Sequence, residues 1–309
     1  MSRRVAEILL ATYNGARYIR EQLDSILAQT DDRWHLTLSD DGSNDGTQEI
    51  LDEYALKYPD RIARYRSGRR FGNARDHFFH LMARCEAPYM LFCDQDDVWA
   101  PEKVQRTLDA LLAAEAECGR QTPVLVFSDQ RVVDEALRPV ADSLARYQRH
   151  NTEGFDFRAL LLQNVVTGGA MGINRALARL GERLADPSRA VMHDGWLAAV
   201  AARFGRIVYI DEPLGDYRQH ADNEVGAKNV GSARYVMGSL MRLQRVSQRL
   251  REKKRQAVAF RQTFEARLNE EDIAFLRRFE RTRSGPAFYW RNRRLICGFW
   301  RLAGMMLLG

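Results

Sequence analysis

Cysteine is scarce in this chain. Four residues in 309, Cys85, Cys93, Cys118 and Cys297, stand apart from one another without CxxC spacing. That scatter argues against a zinc cluster and against a disulfide framework, and it points to a reducing cytoplasm. Long apolar runs are lacking as well: no stretch approaches the roughly 20 apolar residues of a membrane-spanning helix. The opening MSRRVAEILLATYNG carries an apolar run too short for an export signal and no small-residue cleavage site. Internal repeats and low-complexity tracts are missing too.

What is present fits a soluble globular protein, with 45% hydrophobic and 28% charged residues and enough length for a sizeable core. The net charge of +6 conceals an asymmetry. Residues 1–233 hold 29 Lys and Arg against 35 Asp and Glu, whereas residues 234–309 hold 18 against 6. A mildly acidic body therefore carries a strongly basic tail, which calls for an anionic partner.

Short apolar runs alternate with amphipathic segments through the first half. VAEILLA (5–11), WHLTLS (34–39), RIARYR (61–66) and YMLFC (89–93) read as strands, and helical spacing follows each of them. VLVFSD (124–129) and RIVYID (206–211) continue the strand series, and HDGWLAAVAARFG (193–205) reads as a helix with a polar start. This rhythm argues for an α/β fold, a mostly parallel sheet flanked by helices. Ligands of such sheets sit beyond the carboxyl ends of the strands. Beyond about residue 230 the pattern turns long, basic and helical. The expected division is a catalytic domain over 1–230 and a helical basic region over 231–309.

The chemically suggestive residues fall at those strand ends. In LFCDQDDVWA, Asp94, Asp96 and Asp97 crowd together after an apolar run. Mg²⁺ and Mn²⁺ take oxygen ligands and bind through one or two carboxylates plus substrate phosphates. The competing reading makes one aspartate a helix cap ahead of Pro101 and leaves the others solvated. SDDGSNDGT is a turn by composition, yet Asp40 ends a buried strand, where its carboxylate can accept the N3–H of uracil or thymine. Asp194 in HDGW is a helix cap first and a catalytic acid second. His220 in YRQH stands alone in the sequence. Arg75, with the preceding RRFGNAR, reads either as a solvated basic loop or as a phosphate contact. The Gly-rich VVTGGAMGI, with Gly168 and Gly169, is expected to pass close to a ligand or to backbone.

Taken in order and at these spacings, ATYNG, SDDGSNDGT, CDQDDVW, TGG, HDGW and YRQH resemble family 2 glycosyltransferases of the GT-A fold over about residues 5 to 225. DQDD, HDGW and YRQHADNEVG look most like bacterial rhamnosyltransferases of surface polysaccharide assembly. The resemblance implies a Rossmann-like catalytic domain in which Thr12, Tyr13 and Asn14 hold the nucleotide and Asp40 binds its pyrimidine. Arg75, Asp94, Gly168 and Gly169 would join them on the donor, Asp96 and His220 would bind Mg²⁺ or Mn²⁺, and Asp194 would be the base. The implied reaction is an inverting transfer from dTDP-L-rhamnose, or from a UDP-sugar, to a lipid-linked or lipopolysaccharide glycan. One departure is visible: where many relatives place Asn after the basic residue of the third loop, this chain reads ARDHFF, which puts a polar contact near Asp76 or His77 in doubt. A catalytically inactive relative acting as a scaffold subunit is the alternative.

The tail RSGPAFYWRNRRLICGFWRLAGMMLLG mixes Phe288, Tyr289, Trp290, Phe299 and Trp300 with Arg291, Arg293, Arg294 and Arg301. Aromatic and basic residues together suit an anionic membrane interface. The expected location is therefore cytoplasmic, peripheral on the inner face of the membrane. The competing reading is a helix packed on the catalytic domain with its arginines in water. Nothing there resembles a nucleic-acid-binding motif, so no nucleic acid is expected as a partner.

Overall fold

In the computed structural model, the described residues are 5–220, 243–281 and 285–296, with residues 302, 305 and 306 beyond them. Among these residues nine strands form one sheet: β1 Ala6–Thr12, β2 Trp34–Asp40, β3 Ile62–Tyr65, β4 Tyr89–Cys93, β5 Val98–Trp99, β6 Val124–Val133, β7 Pro139–Ala141, β8 Met171–Asn174 and β9 Arg206–Arg218. The spatial order is β3-β2-β1-β4-β8-β6-β9-β5, with β7 alongside β6. Six strands (β1–β4, β6, β9) run one way; β5, β7 and β8 run against them. The expected mostly parallel sheet is present, and β8 is the antiparallel strand between its two parallel parts.

Alternation along the strands divides the interior into two layers. Ile8 and Leu10 of β1, Leu91 of β4 and Val124 and Val126 of β6 face one apolar cluster. Leu9, Met90, Phe92, Leu125 and Phe127 face the other, as the period of two requires. Against the first layer lie α1 Ile19–Leu27, α2 Thr47–Lys57 and α4 Lys103–Cys118. Against the second lie α3 Ala74–Arg84, α6 Phe157–Leu162, α7 Arg175–Gly181 and α8 His193–Phe204. The short α5 Leu144–Gln148 sits after β7. Register sets the site: Thr12 pairs with Asp40, and Leu10 pairs with Cys93. The loops after β1, β2 and β4 therefore leave the sheet side by side.

The helices after residue 243 build onto the same core as the body. They are α9 Leu243–Phe264, α10 Glu270–Glu280 and α11 Gly285–Arg291. Phe260 meets Trp196 edge-on at 5.6 Å and stacks on Phe157 at 5.5 Å, and Phe264 stacks on Trp196 at 5.9 Å. Buried Asp272 binds Arg158 at 2.7 Å and Arg203 at 2.6 Å, joining α10 to α6 and α8. Val191 N–H donates to Gln256 Oε1 at 2.7 Å. Phe288 and Tyr289 lie in this cluster, 9% and 0% exposed, which corrects their expected place at a membrane interface. Ring packing against Phe275 and Phe279 is what draws Phe288 inward. Trp290 points out, 57% exposed. The expected boundary near residue 230, and Phe299, Trp300 and Arg301, lie outside the described residues. Among the described residues no helix is long and apolar enough to cross a membrane.

Candidate active site

The first wall of the site is built by the loops after β1 and β2. Thr12 Oγ1 donates to Asp40 Oδ1 at 2.8 Å, while Gly42 and Ser43 N–H each donate to Asp40 Oδ2 at 2.9 Å. Ser43 Oγ also donates to Asp40 Oδ1. All four lone-pair directions of the carboxylate are thus taken by its own turn and by Thr12 of β1. The expected contact from Asp40 to a pyrimidine N–H requires the Thr12 or Ser43 hydroxyl to turn away. Asp41, buried beside it, accepts from Phe71 and Gly72 N–H and so fixes the third loop. Arg70 of that loop lies over the ring of Tyr13 at 5.7 Å, and Tyr13 is half exposed, leaving aromatic surface open at this edge.

The second wall is the DQDD loop, whose crowded carboxylates are handled in three ways. Asp97 turns inward: it is 1% exposed and accepts from Gln130 Nε2 at 3.0 Å and from Arg218 N–H at 3.3 Å. Burial, then the charge of Asp96, pushes its carboxyl up to about 7. Asp96 Oδ2 meets His220 Nε2 at 2.7 Å. Asp94 reaches toward the Gly168–Ala170 turn, where a methyl on Gly169 would stand 2.6 Å from its Oδ2. Only a residue without Cβ lets the turn come this near. Lys103 lies buried beneath the loop, its Nζ without a hydrogen-bond partner and 5.0 Å from the Trp99 ring. Burial lowers its ammonium to about 8, against the pull of Cys93, Asp97 and Asp94.

The end of β9 folds back across this loop. Arg218, 2% exposed, donates from Nε to the Asp96 carbonyl at 2.9 Å and from Nη1 to the Glu135 carbonyl at 2.9 Å. It also pairs with Glu21 and lies over the Tyr18 ring at 4.8 Å. The same ring packs on His220 at 4.8 Å. Arg218 therefore holds the backbone of the DQDD loop and the root of the His220 arm together. Among the described residues no group of three or more His, Cys, Asp and Glu could hold a metal. Asp96 and His220, with Asp94 across the loop, still fit a hard cation whose remaining ligands are diphosphate oxygens and water.

The third wall is the start of α8. A methyl at Gly168 would lie 3.1 Å from the His193 ring and 3.8 Å from Asp194 Oδ2. One glycine turn thus separates Asp94 and Asp97 on one side from His193 and Asp194 on the other. Asp194 lies in the first turn of α8, where the helix dipole favours a carboxylate. His193 is 3% exposed between Phe78 and Phe92, and burial holds its imidazolium down at about 3.

Arg75 stands differently. Its guanidinium forks onto Asp76, with Nε to Oδ1 at 2.8 Å, and donates from Nη1 to the Ser188 and Ala190 carbonyls. The structure joins it to the α3 start and the 187–189 turn rather than to the DQDD loop. Asp76 also accepts from Asn73 Nδ2 at 2.9 Å. His77 bonds Ser39 Oγ at 2.7 Å beneath Phe71, and burial lowers it to about 4. The departure in the third loop is thereby filled by local contacts.

With this geometry in place, comparison with known proteins decides the family. The sequence pattern of "Glycosyl transferase family 2" matches residues 7–181. The chain belongs to that family. A dTDP-rhamnosyl transferase, RfbG of Shigella flexneri, is 30% identical over 247 residues, covering 75% of this chain and 79% of its own. An uncharacterized glycosyltransferase of Nostoc sp. is 26% identical, covering 73% of this chain and 68% of its own. Among solved structures, S. aureus TarS 1-349 in complex with UDP aligns with a TM-score of 0.57 at 14% identity, over 98% of this chain and 90% of that one. The mannosyltransferase PcManGT of Pyrobaculum calidifontis, solved with GDP-Man and Mn²⁺, aligns at 0.54 and 15%, over 99% and 86%. These likenesses show the GT-A fold, and the protein is a glycosyltransferase. Sequence reasoning on this glycosyltransferase missed the contacts of Gln95, Lys103, Gln130 and Arg218; Gln95 and Arg218 stood inside the quoted motifs, but the Tyr13 backbone that Gln95 binds and the Asp96 and Glu135 carbonyls and Glu21 side chain that Arg218 binds are remote in sequence.

His193 generates a pH prediction. Between about 6.5 and 3 the unfolded chain binds a proton at this ring that the folded chain refuses, so stability is lost as pH falls through that window. At pH 5 the loss is on the order of 2 kcal/mol. Urea unfolding at pH 7 and pH 5 should show His193→Leu losing less stability than the wild type by about that amount. Equal losses would mean that the ring is protonated, or wet, in the folded state.

Proposed function

We propose that this glycosyltransferase moves a sugar from a nucleoside diphosphate to a glycan hydroxyl with inversion, dTDP-L-rhamnose being the first donor to test and a UDP-sugar the second. The observation that carries the reading is the Gly168–Gly169 turn, which sets Asp94 and Asp194 on its two sides within contact of adjacent glycines. A donor whose diphosphate lies by Asp94 then presents its anomeric carbon toward Asp194. Similarity to a dTDP-rhamnosyl transferase supports the donor choice. The acceptor is read as a lipid-linked or lipopolysaccharide saccharide.

The acceptor hydroxyl attacks the anomeric carbon from the face opposite the diphosphate. As the new C–O bond forms, its proton passes to the Asp194 carboxylate, and the bond to the diphosphate breaks with its electron pair left on the phosphate oxygen. Because attack and departure are concerted, a carboxylate is base enough. Asp96 and His220, with Asp94 facing the diphosphate, would hold Mg²⁺ or Mn²⁺, which would supply Lewis-acid neutralisation of the leaving group. Against the scaffold alternative stands the convergence of Asp94, Asp96, His220 and Asp194 on one strand edge. Asp194→Asn should keep nucleotide affinity and lower turnover by about 10² to 10⁴, and Asp96→Ala or excess chelator should abolish transfer. Retained activity in Asp194→Asn, or a product of retained anomeric configuration by NMR, would sink the mechanism.

We further infer that the C-terminal helices meet an anionic membrane on the cytoplasmic side, bringing the protein to a lipid-borne acceptor. Phe288 and Tyr289 root α11 in the core, while Trp290 and Arg291, Arg293 and Arg294 are exposed beside them. Arg293 lies over the Trp290 ring at 4.8 Å. Each basic side chain at such a surface contributes roughly 1 kcal/mol. The full chain should sediment with phosphatidylglycerol vesicles at low salt, less at high salt, and Trp290→Ser with Arg291, Arg293 and Arg294 all changed to Gln should weaken sedimentation. Equal recovery of both proteins in the supernatant at low salt would end this proposal.

A further inference from the structure

The residue between Asp94 and Asp96 makes a contact that the proposed chemistry does not use. Gln95 Oε1 accepts from Tyr13 N–H at 2.9 Å, and Gln95 Nε2 donates to the Tyr13 carbonyl at 3.1 Å. Both backbone groups of one residue are thus satisfied by one side-chain amide, as a neighbouring strand would satisfy them. The position explains why. β1 and β4 are parallel neighbours whose pairing extends to Leu10 and Cys93, and the two chains then leave the sheet. Gln95 continues the link past the point where the ladder stops.

Two further observations point to the same lock. Asn14, next in the chain, sits at φ 48°, a left-handed conformation that a non-glycine residue keeps only when its surroundings hold it. Its N–H donates to Ser43 Oγ at 2.8 Å, and its Oδ1 accepts from Asn44 N–H at 3.1 Å. Gly15 has no positive φ that would demand glycine. A methyl there would instead stand 2.4 Å from Gln95 Oε1. Gly15 is bare because the Gln95 amide occupies the space.

We propose that Gln95 is a positioning residue that clamps the Tyr13–Asn14 segment to the DQDD loop and thereby sets how tightly the nucleotide of the donor is held. The inference rests on the reading of that segment as the nucleotide-holding loop. Alanine at 95 removes both bonds and frees the segment. Alanine at Gly15 displaces the amide and breaks the same two bonds with Gln95 still present. The two changes should therefore be equivalent and not additive.

The experiment measures dTDP and UDP binding by calorimetry, in excess chelator and with Mn²⁺, for the full-length wild type, Gln95→Ala, Gly15→Ala and the double variant. Donor KM and kcat are measured on the same proteins. For the nucleotide that the wild type binds better, each single variant should weaken binding about ten-fold, the worth of one or two net hydrogen bonds. KM should rise in step while kcat stays within about three-fold, and the double variant should bind no worse than either single one. Wild-type affinity in Gln95→Ala, additive losses in the double variant, or a kcat that falls with KM unchanged would overturn the inference while leaving the donor reading in place. Failure of the wild type to bind either nucleotide would overturn both.

Discussion

Three carboxylates within four residues at the end of β4 repel one another, and much of the architecture around them serves to contain that repulsion. Like charges 4 Å apart cost about 4 kcal/mol at the effective dielectric of a protein surface. Asp97 escapes by burial among Gln130 and the Arg218 N–H, and it holds its proton more tightly as a result. Asp96 is matched by His220, and Asp94 is given a glycine turn to face. Two buried cations, Lys103 and Arg218, stand close by on the protein side. On the function proposed above, so costly a cluster is kept to receive a multivalent cation and a diphosphate.

The remoter parts of the fold bear on the same point. β9 runs thirteen residues, and its register with β6 shifts between Ser128 and Arg131 before resuming to the Val133–Arg218 pair, so that Tyr217, Arg218 and His220 arrive over the DQDD loop. Helix α8 has eight of its twelve residues buried, because it is covered by the sheet on one side and by Phe260 and Phe264 of α9 on the other. Its first turn carries Asp194. The basic C-terminal helices thus steady the proposed base as well as carrying surface charge.

How much of this was legible in the sequence depended on where the partners of each residue lie. β1 and β4 announced themselves because strands buried on both faces are near-continuous apolar runs, and β2 because its apolar residues alternate with polar ones. β5, β7 and β8 did not, being two to four residues long and defined by pairing with strands far along the chain. Asp94, Asp96, Asp194 and His220 stood out as motif residues at strand and helix ends. Asp40 was also visible, but the bonds that occupy its carboxylate come from its own turn and from Thr12, which spacing alone does not reveal. The aromatic and basic pattern of the tail pointed first to a membrane interface, with a packed helix as the competing reading. Ring contacts decided for the core at Phe288 and Tyr289, and exposure left Trp290 outside.

The central claim is that the DQDD loop and His220 receive a cation together with a nucleoside diphosphate. Pulsed EPR of the protein loaded with Mn²⁺ and dTDP tests it most directly, through the hyperfine coupling of Mn²⁺ to ³¹P and to a histidine nitrogen. The account predicts both couplings in the wild type, loss of the nitrogen coupling in His220→Ala, and loss of bound Mn²⁺ in Asp96→Ala. Mn²⁺ that binds with no ³¹P coupling, or binds unchanged in Asp96→Ala, would contradict it.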